Sequence, residues 1–458
     1  MLMVRFLKQP FVWILLAFFL ITSWPFVGFP LTDGDTGHWV RWAQEISQHG
    51  NFLSAKSDQS HGPLLAWGTS VFISLFSLSF YTLNLFNLLC GLGSLGLVYM
   101  LCKQLGSSQR TTLIATVFTA TNFMWVYLSR TPMYDLPAAF GYTLFCYAYA
   151  VYLHKKNPRW LLLALVGVGL GTLSRFIIVI GLSGFFIAIM QFLAVYRLDK
   201  PWLLRGVTWL RRCLWHGVLV ISVAALLSWP WLWVQHALYD GFLKEFMYDN
   251  FLRFLGDEKG VSRDYYGFLL ITFIALIPTT PVLVAGLSKS LWQKWGKSPI
   301  AHVALAASLP CLMVFSFSGH TKLIRYIAYI FPSLLLLSAH IYTTCIDSPV
   351  YRRRMRYWYY GLLSVVAILL SVYAVQFNAE AQQSGLFVGA AIVFLIGLIG
   401  SGLFFLGQRY KSFIENPLFY LLSCCLFYLL FFTVLAIEYN HVPFLKQVHD
   451  SIEASLGS

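Results

Sequence analysis

Apolar runs of about twenty residues, the length that crosses a bilayer as a helix, recur from one end of this chain to the other. In lipid the backbone must satisfy its own hydrogen bonds, so the expectation is an all-α polytopic membrane protein. Composition agrees: 58% of residues are hydrophobic and 11% charged, with a mean hydropathy of +0.69. A soluble domain carries about a quarter charged residues. The longest polar segments hold about thirty residues, too few for an independent core. One membrane unit is therefore expected, without a soluble domain.

The expected crossings are 11–29, 81–102, 111–129, 136–153, 160–174, 176–196, 214–235, 267–287, 299–317, 323–345, 357–377, 385–406 and 417–437, thirteen in all. The first follows Arg5 and Lys8 and lacks a small-residue cleavage site, which makes it a retained anchor. A further apolar run, Leu64 to Phe80, decides the topology. If it does not cross, 21 of the 32 Lys and Arg share the side of the N-terminus, with only Asp199, Asp347 and Glu415 among the acids. If it crosses, six basic links land outside together, against the positive-inside rule. We take it as non-crossing. The net charge of +14 then reflects orientation, and a nucleic-acid partner is excluded. The eight cysteines, Cys90, Cys102, Cys146, Cys213, Cys311, Cys345, Cys424 and Cys425, lie in or beside apolar runs without a C-x-x-C pair. They indicate neither a disulfide framework nor a zinc site.

This topology gathers charges from separate segments at one outer face. The polar stretch Pro30 to Pro63 holds Asp33, Asp35, Glu45, Asp58 and His61. Within it Trp39, Trp42, Ala43 and Ile46 share one helical face, as in a helix lying on the membrane surface. Asp35 precedes that helix and is either an N-cap or a general base. Asp33-Gly34-Asp35 has the form that holds a divalent metal on nucleotide-sugars, which are not supplied outside; a divalent metal is the one cofactor it admits. Arg130 and Asp135 flank a turn fixed by Pro132 and Pro137, as a local ion pair or as functional groups at the membrane edge. Arg175 lies between two apolar runs and needs an anion, either a lipid phosphate or a carboxylate such as Asp135. Lys322 and Arg325 either snorkel to the interface or grip an anionic headgroup. The outer loop 236–266 carries Phe242, Phe246 and Phe254 for a second surface helix, and Arg253, Tyr265 and Tyr266 for a polar pocket. His154, His216, His302 and His340 show no ligand spacing.

In this order these residues resemble the GT-C superfamily of membrane glycosyltransferases, in the branch of lipid A aminoarabinose transferases and protein O-mannosyltransferases. The resemblance rests on Asp35-x-x-x-Trp39 with Gly50-Asn51-Phe52, on His61-Gly62-Pro63-Leu64, and on Ser129-Arg130 through Asp135. It continues with Ser174-Arg175, Trp229-Pro230-Trp231, Asn250 to Arg253, Tyr265-Tyr266 and Lys322-Leu-Ile-Arg325-Tyr326 with Pro332. It covers about three quarters of the chain, and it departs where Asp35-Thr36 stands for Asp-Glu, His61 for Lys, and Arg175 for Lys.

The resemblance implies an inverting transferase that uses a polyprenyl-phosphate-linked sugar donor of the undecaprenyl type. The acceptor would be lipid A, an envelope glycan or a protein. The site would face the periplasm from a bacterial inner membrane. Asp35 and Asp135 would be catalytic, and Arg175, Lys322 and Arg325 would hold the donor phosphate. Asp33, His61, Arg130, Arg253, Tyr265 and Tyr266 would line the substrate site. Residues 1–345 would form the catalytic module, 346–437 a set of C-terminal helices and 438–458 a short periplasmic tail. The competing classes are a lipid or solute transporter and a non-catalytic polyprenyl-phosphate-binding protein.

Overall fold

The computed structural model describes residues 9–23, 36–54, 61–196, 201–248, 267–277, 279–317, 324–358 and 360–361. Every regular element among them is a helix. Five helices, Phe80–Gln104, Asp135–Lys155, Phe176–Tyr196, Trp202–Leu238 and Pro299–Phe317, are long and apolar enough to cross a bilayer; with two bent pairs the number is seven. The chain is an integral membrane protein. The expected crossings beyond residue 361 and the tail lie outside the described residues, so the expected thirteen cannot be counted out on them.

Three expected crossings are broken. Gln109–Ala120 and Phe123–Ser129 meet at 60°, because the Asn122 side chain caps the second piece at Trp125 N (3.1 Å) and donates to Ala275 O (2.9 Å). Gly267–Ala275 and Thr280–Gly286 meet at 115°, and Pro281 sits in the first turn of the second piece, where it lacks no needed donor. The segment 323–345 begins as a 3-10 turn, Ile324–Tyr329, before the helix Phe331–Cys345 starts over Pro332. Conversely, Trp202–Leu238 has 37 residues. At 1.5 Å per residue it is about 55 Å long, well beyond a hydrocarbon core of about 30 Å.

The densest helix pairing joins Asp135–Lys155 to Pro158–Thr172. Between them Lys156 turns the chain at φ 57, and Asn157 caps the return helix at Arg159 N, 3.0 Å away. Glycine makes the closeness of this hairpin: a Cβ on Gly141 would meet Gly171 N at 2.4 Å and Gly167 O at 2.7 Å. Small residues let membrane helices approach at backbone distance. The antiparallel return also sets the start of the first helix, Asp135, beside Arg175 at the end of the second.

The helix Thr36–His49 buries Trp39, Trp42, Ala43 and Ile46, the face read from its periodicity. That face does not lie on lipid. It packs on Leu65 and Ala66 of the helix Leu64–Phe76, and on Tyr134, Phe176 and Trp231. With 13 residues, the Leu64–Phe76 helix is shorter than a usual crossing, as are Pro10–Ser23 and Pro158–Thr172 among the expected ones. Phe242 and Phe246 form a short helix, Phe242–Met247, and are buried against Trp231 and Phe176. Phe254 lies outside the described residues.

Candidate functional site

Asp135 opens its helix and is wholly buried. Its Oδ1 lies 3.5 Å from Arg175 Nη2 and its Oδ2 lies 3.5 Å from Arg325 Nε. The two arginines reach it from different segments: Arg175 from the turn after Pro158–Thr172, held by its own N–H to Gly171 O at 2.8 Å, and Arg325 from the 3-10 turn. Side-chain exposures are 8% for Arg175, 11% for Arg325 and 0% for Asp135. Two nearly buried guanidiniums therefore share one carboxylate, in a place where an unpaired charge would be costly. Arg175 Nε is itself buried and has no hydrogen-bond partner. A buried donor in that condition calls for an acceptor.

Tyr134 joins the cluster together. Its hydroxyl accepts from Arg175 Nη2 at 2.7 Å, and the guanidinium lies over its ring at 4.1 Å. Arg325 lies 5.7 Å from the same ring, and Tyr326 flanks Arg175 at 5.3 Å. Burial pushes the Tyr134 hydroxyl up, more than the cations of Arg175 and Arg325 pull it down, so it stays protonated at neutral pH.

The turn His61-Gly62-Pro63 is bolted onto the Ser174-Arg175 turn. Gly62 N donates to Ser174 O at 3.2 Å and Leu64 N to Leu173 O at 3.0 Å. A Cβ on Gly62 would fall 2.0 Å from Leu173 O, so only glycine fits. The docking brings the His61 ring to 4.2 Å from Tyr134 and stacks it on Trp39 at 5.7 Å.

Arg130 is not on the Asp135 carboxylate. Its Nη1 donates to Ile21 O at 3.4 Å, and burial pushes its guanidinium down to about 9, still charged at neutral pH. Of the two readings of this turn, the local ion pair gives way: Asp135 pairs with the distant Arg175 and Arg325. Sequence reasoning missed Asn87, whose Nδ2 donates to Thr131 O (2.6 Å) and Met133 O (2.9 Å) and pins the turn that presents Tyr134 and Asp135. It also missed Tyr134, although that residue stands inside the motif read there; an aromatic between Met133 and Asp135 was the signal. Asp33, Asp35, Arg253, Tyr265, Tyr266 and Lys322 lie outside the described residues. Among the described residues no group of three or more His, Cys, Asp or Glu could hold a metal. His216 and His340 are spent on Arg212 O and Ser298 Oγ, at 2.8 and 2.7 Å.

Residues 60–229 match a family described as dolichyl-phosphate-mannose-protein mannosyltransferase. An undecaprenyl phosphate-alpha-4-amino-4-deoxy-L-arabinose arabinosyl transferase from Pseudomonas paraeruginosa is 28% identical over 249 residues, 53% of this chain and 42% of that protein. Its counterpart from Pectobacterium atrosepticum is 25% identical over 315 residues, 66% of this chain and 54% of that one. The chain spans about half the length of these curated relatives. Crystal structures of ArnT from Cupriavidus metallidurans, in the apo state and bound to undecaprenyl phosphate, superpose with a TM-score of 0.70 at 17% identity, covering 94% of this chain and 76% of that one. The chain is a polytopic membrane protein with the fold of the Cupriavidus ArnT structures, and it is similar in sequence to undecaprenyl phosphate-aminoarabinose arabinosyl transferases.

Proposed function

We propose that this protein transfers a sugar from a polyprenyl-phosphate donor of the undecaprenyl type to an acceptor such as lipid A at the outer face of a bacterial inner membrane. The observation that carries the proposal is the sharing of one buried carboxylate by Arg175 and Arg325. The buried Arg175 Nε–H without an acceptor suits a phosphate oxygen, since a hydrogen bond between an ionised donor and an ionised acceptor is among the strong ones. The undecaprenyl phosphate in the relatives' names and in the Cupriavidus complex supports the same ligand.

In this reading the acceptor hydroxyl or phosphate oxygen attacks the anomeric carbon from the face opposite the lipid phosphate. The sugar–phosphate bond breaks and its electrons pass to the phosphate, with inversion at that carbon. Arg175 and Arg325, with Lys322 assigned by resemblance, stabilise the departing phosphate in a site of low dielectric. Asp35 would take the acceptor proton. Asp135 gives each oxygen to a guanidinium, which suits it to hold the two arginines in place as the second acid of the site. His61, through Trp39 and Tyr134, closes the wall beside the phosphate. All of these residues fall within 1–345, the proposed catalytic module. No step needs a metal.

The test is transfer by the purified protein in proteoliposomes supplied with undecaprenyl-phosphate-linked aminoarabinose and lipid A, followed by mass spectrometry of the acceptor. The expected result is a mass gain of one sugar that is lost with Arg175→Ala. An unmodified acceptor across lipid A, other envelope glycans and protein acceptors would contradict the proposal.

A further inference from the structure

We infer that Tyr134 is a positioning residue for the lipid phosphate, setting Arg175 through its hydroxyl and His61 through its ring; the inference rests on the phosphate reading above. Tyr134 belongs to no charged pair. It nevertheless touches Arg175, His61 and Trp39 together. Its hydroxyl takes one hydrogen of Arg175 Nη2 at 2.7 Å, while Asp135 Oδ1 lies 3.5 Å from the same nitrogen. Nη2 is thereby fixed to protein, while the neighbouring Nε–H is left buried without an acceptor. An arginine held at Nη2 presents its Nε–H in a single orientation, and a planar group held that way loses little freedom when an anion arrives.

The ring does a separate task. It carries the Arg175 guanidinium at 4.1 Å and the His61 imidazole at 4.2 Å, and Trp39 meets it edge-on at 5.1 Å. These contacts join three segments far apart in sequence: the turn of His61, the helix of Trp39 and the turn of Arg175. Tyr134 is only 2% exposed, so the assembly is enclosed and rigid. Its backbone is held in turn, because Asn87 bonds the carbonyls of Thr131 and Met133 immediately before it. The hydroxyl and the ring can therefore be removed one at a time, with different consequences.

The experiment measures the affinity of the full chain in nanodiscs for undecaprenyl phosphate, per folded molecule, in a double-mutant cycle. Tyr134→Phe keeps the ring and removes the hydroxyl; it is expected to bind about tenfold more weakly, the loss of one charge-assisted hydrogen bond. Tyr134→Leu removes both and is expected to lose about a hundredfold, two such steps. Because the hydroxyl works only through Arg175, adding Tyr134→Phe to Arg175→Ala should cost nothing further, whereas adding Tyr134→Leu should, since the His61 contact goes too. In turnover, Tyr134→Phe should raise KM for the donor with little change in kcat.

A residue serving structure alone would lower the melting temperature and leave the affinity of the folded fraction unchanged, and that result would overturn the proposal. Full additivity of Tyr134→Phe with Arg175→Ala would overturn it as well. Wild-type binding by Arg175→Ala would remove the phosphate reading and this proposal with it. Weak binding by Arg175→Ala beside wild-type binding by Tyr134→Phe would remove the Tyr134 role alone.

Discussion

Two regions of one helical hairpin, a turn or two apart, solve opposite problems. At Gly141, Gly167 and Gly171 the helices Asp135–Lys155 and Pro158–Thr172 meet backbone to backbone, without charge. At the open end of the same hairpin, Asp135 and Arg175 meet with a second arginine and a tyrosine, and the Arg175 Nε–H is buried without an acceptor. The first contact asks for nothing more once it is made. The second keeps one buried donor, Arg175 Nε–H, without an acceptor. Stability should therefore be concentrated at the crossing and ligand recognition at the cluster, although the two share their helices.

That division can be broken by substitution. The largest effect is expected from Gly167→Leu, whose Cβ alone would fall 2.6 Å from Phe145 N. Overpacking against backbone should exceed about 3 kcal/mol and leave little monodisperse protein on gel filtration. Normal yield and melting temperature would show that the crossing is not where stability resides.

Next in size is Asp135→Asn, which leaves two buried guanidiniums without their shared carboxylate. A loss of about 3 kcal/mol in thermal stability is expected, the cost of breaking a buried pair. The cluster reading adds a sharper point: undecaprenyl phosphate should raise the melting temperature of Asp135→Asn by more than that of wild type, because the anion replaces part of the missing charge. An equal shift in both would separate the carboxylate from the ligand.

Arg175→Ala should fold and should bind undecaprenyl phosphate about a hundredfold more weakly, or about 2.7 kcal/mol. Smallest is Tyr149→Phe, further along the same helix, where the hydroxyl accepts from Gln191 Nε2 at 2.8 Å. It is expected to cost about 1 kcal/mol in stability and nothing in donor affinity. A large loss of affinity there would mean that recognition is spread along the helix and not gathered at its end.

The parts of this picture that the sequence shows are those that cost most to place wrongly. Asp135, Arg175 and Arg325 stand out because ionisable groups are few among apolar runs, and the structure brings those three together. The burial of Trp39, Trp42, Ala43 and Ile46 follows from their period, but a period names the buried face without naming what covers it, and protein covers it where lipid was expected. The break within 267–287 was present in Pro278 and Pro281, yet continuous hydropathy outweighs two prolines in any count of spans. Asn87 and Tyr134 were hidden for a different reason. Neither is charged, and each matters only through neighbours more than forty positions away, at Thr131 and Arg175 respectively. A close approach such as Gly62 on Leu173 O is likewise made by tertiary contact alone.

The most direct test compares undecaprenyl phosphate with undecaprenol, the same chain without the phosphate, on wild type and on Arg175→Ala. A buried arginine donor held for a phosphate predicts that wild type prefers the phosphate by about a hundredfold and that Arg175→Ala loses most of that preference. Equal affinity of wild type for the two lipids, or a preference that survives Arg175→Ala intact, would contradict it.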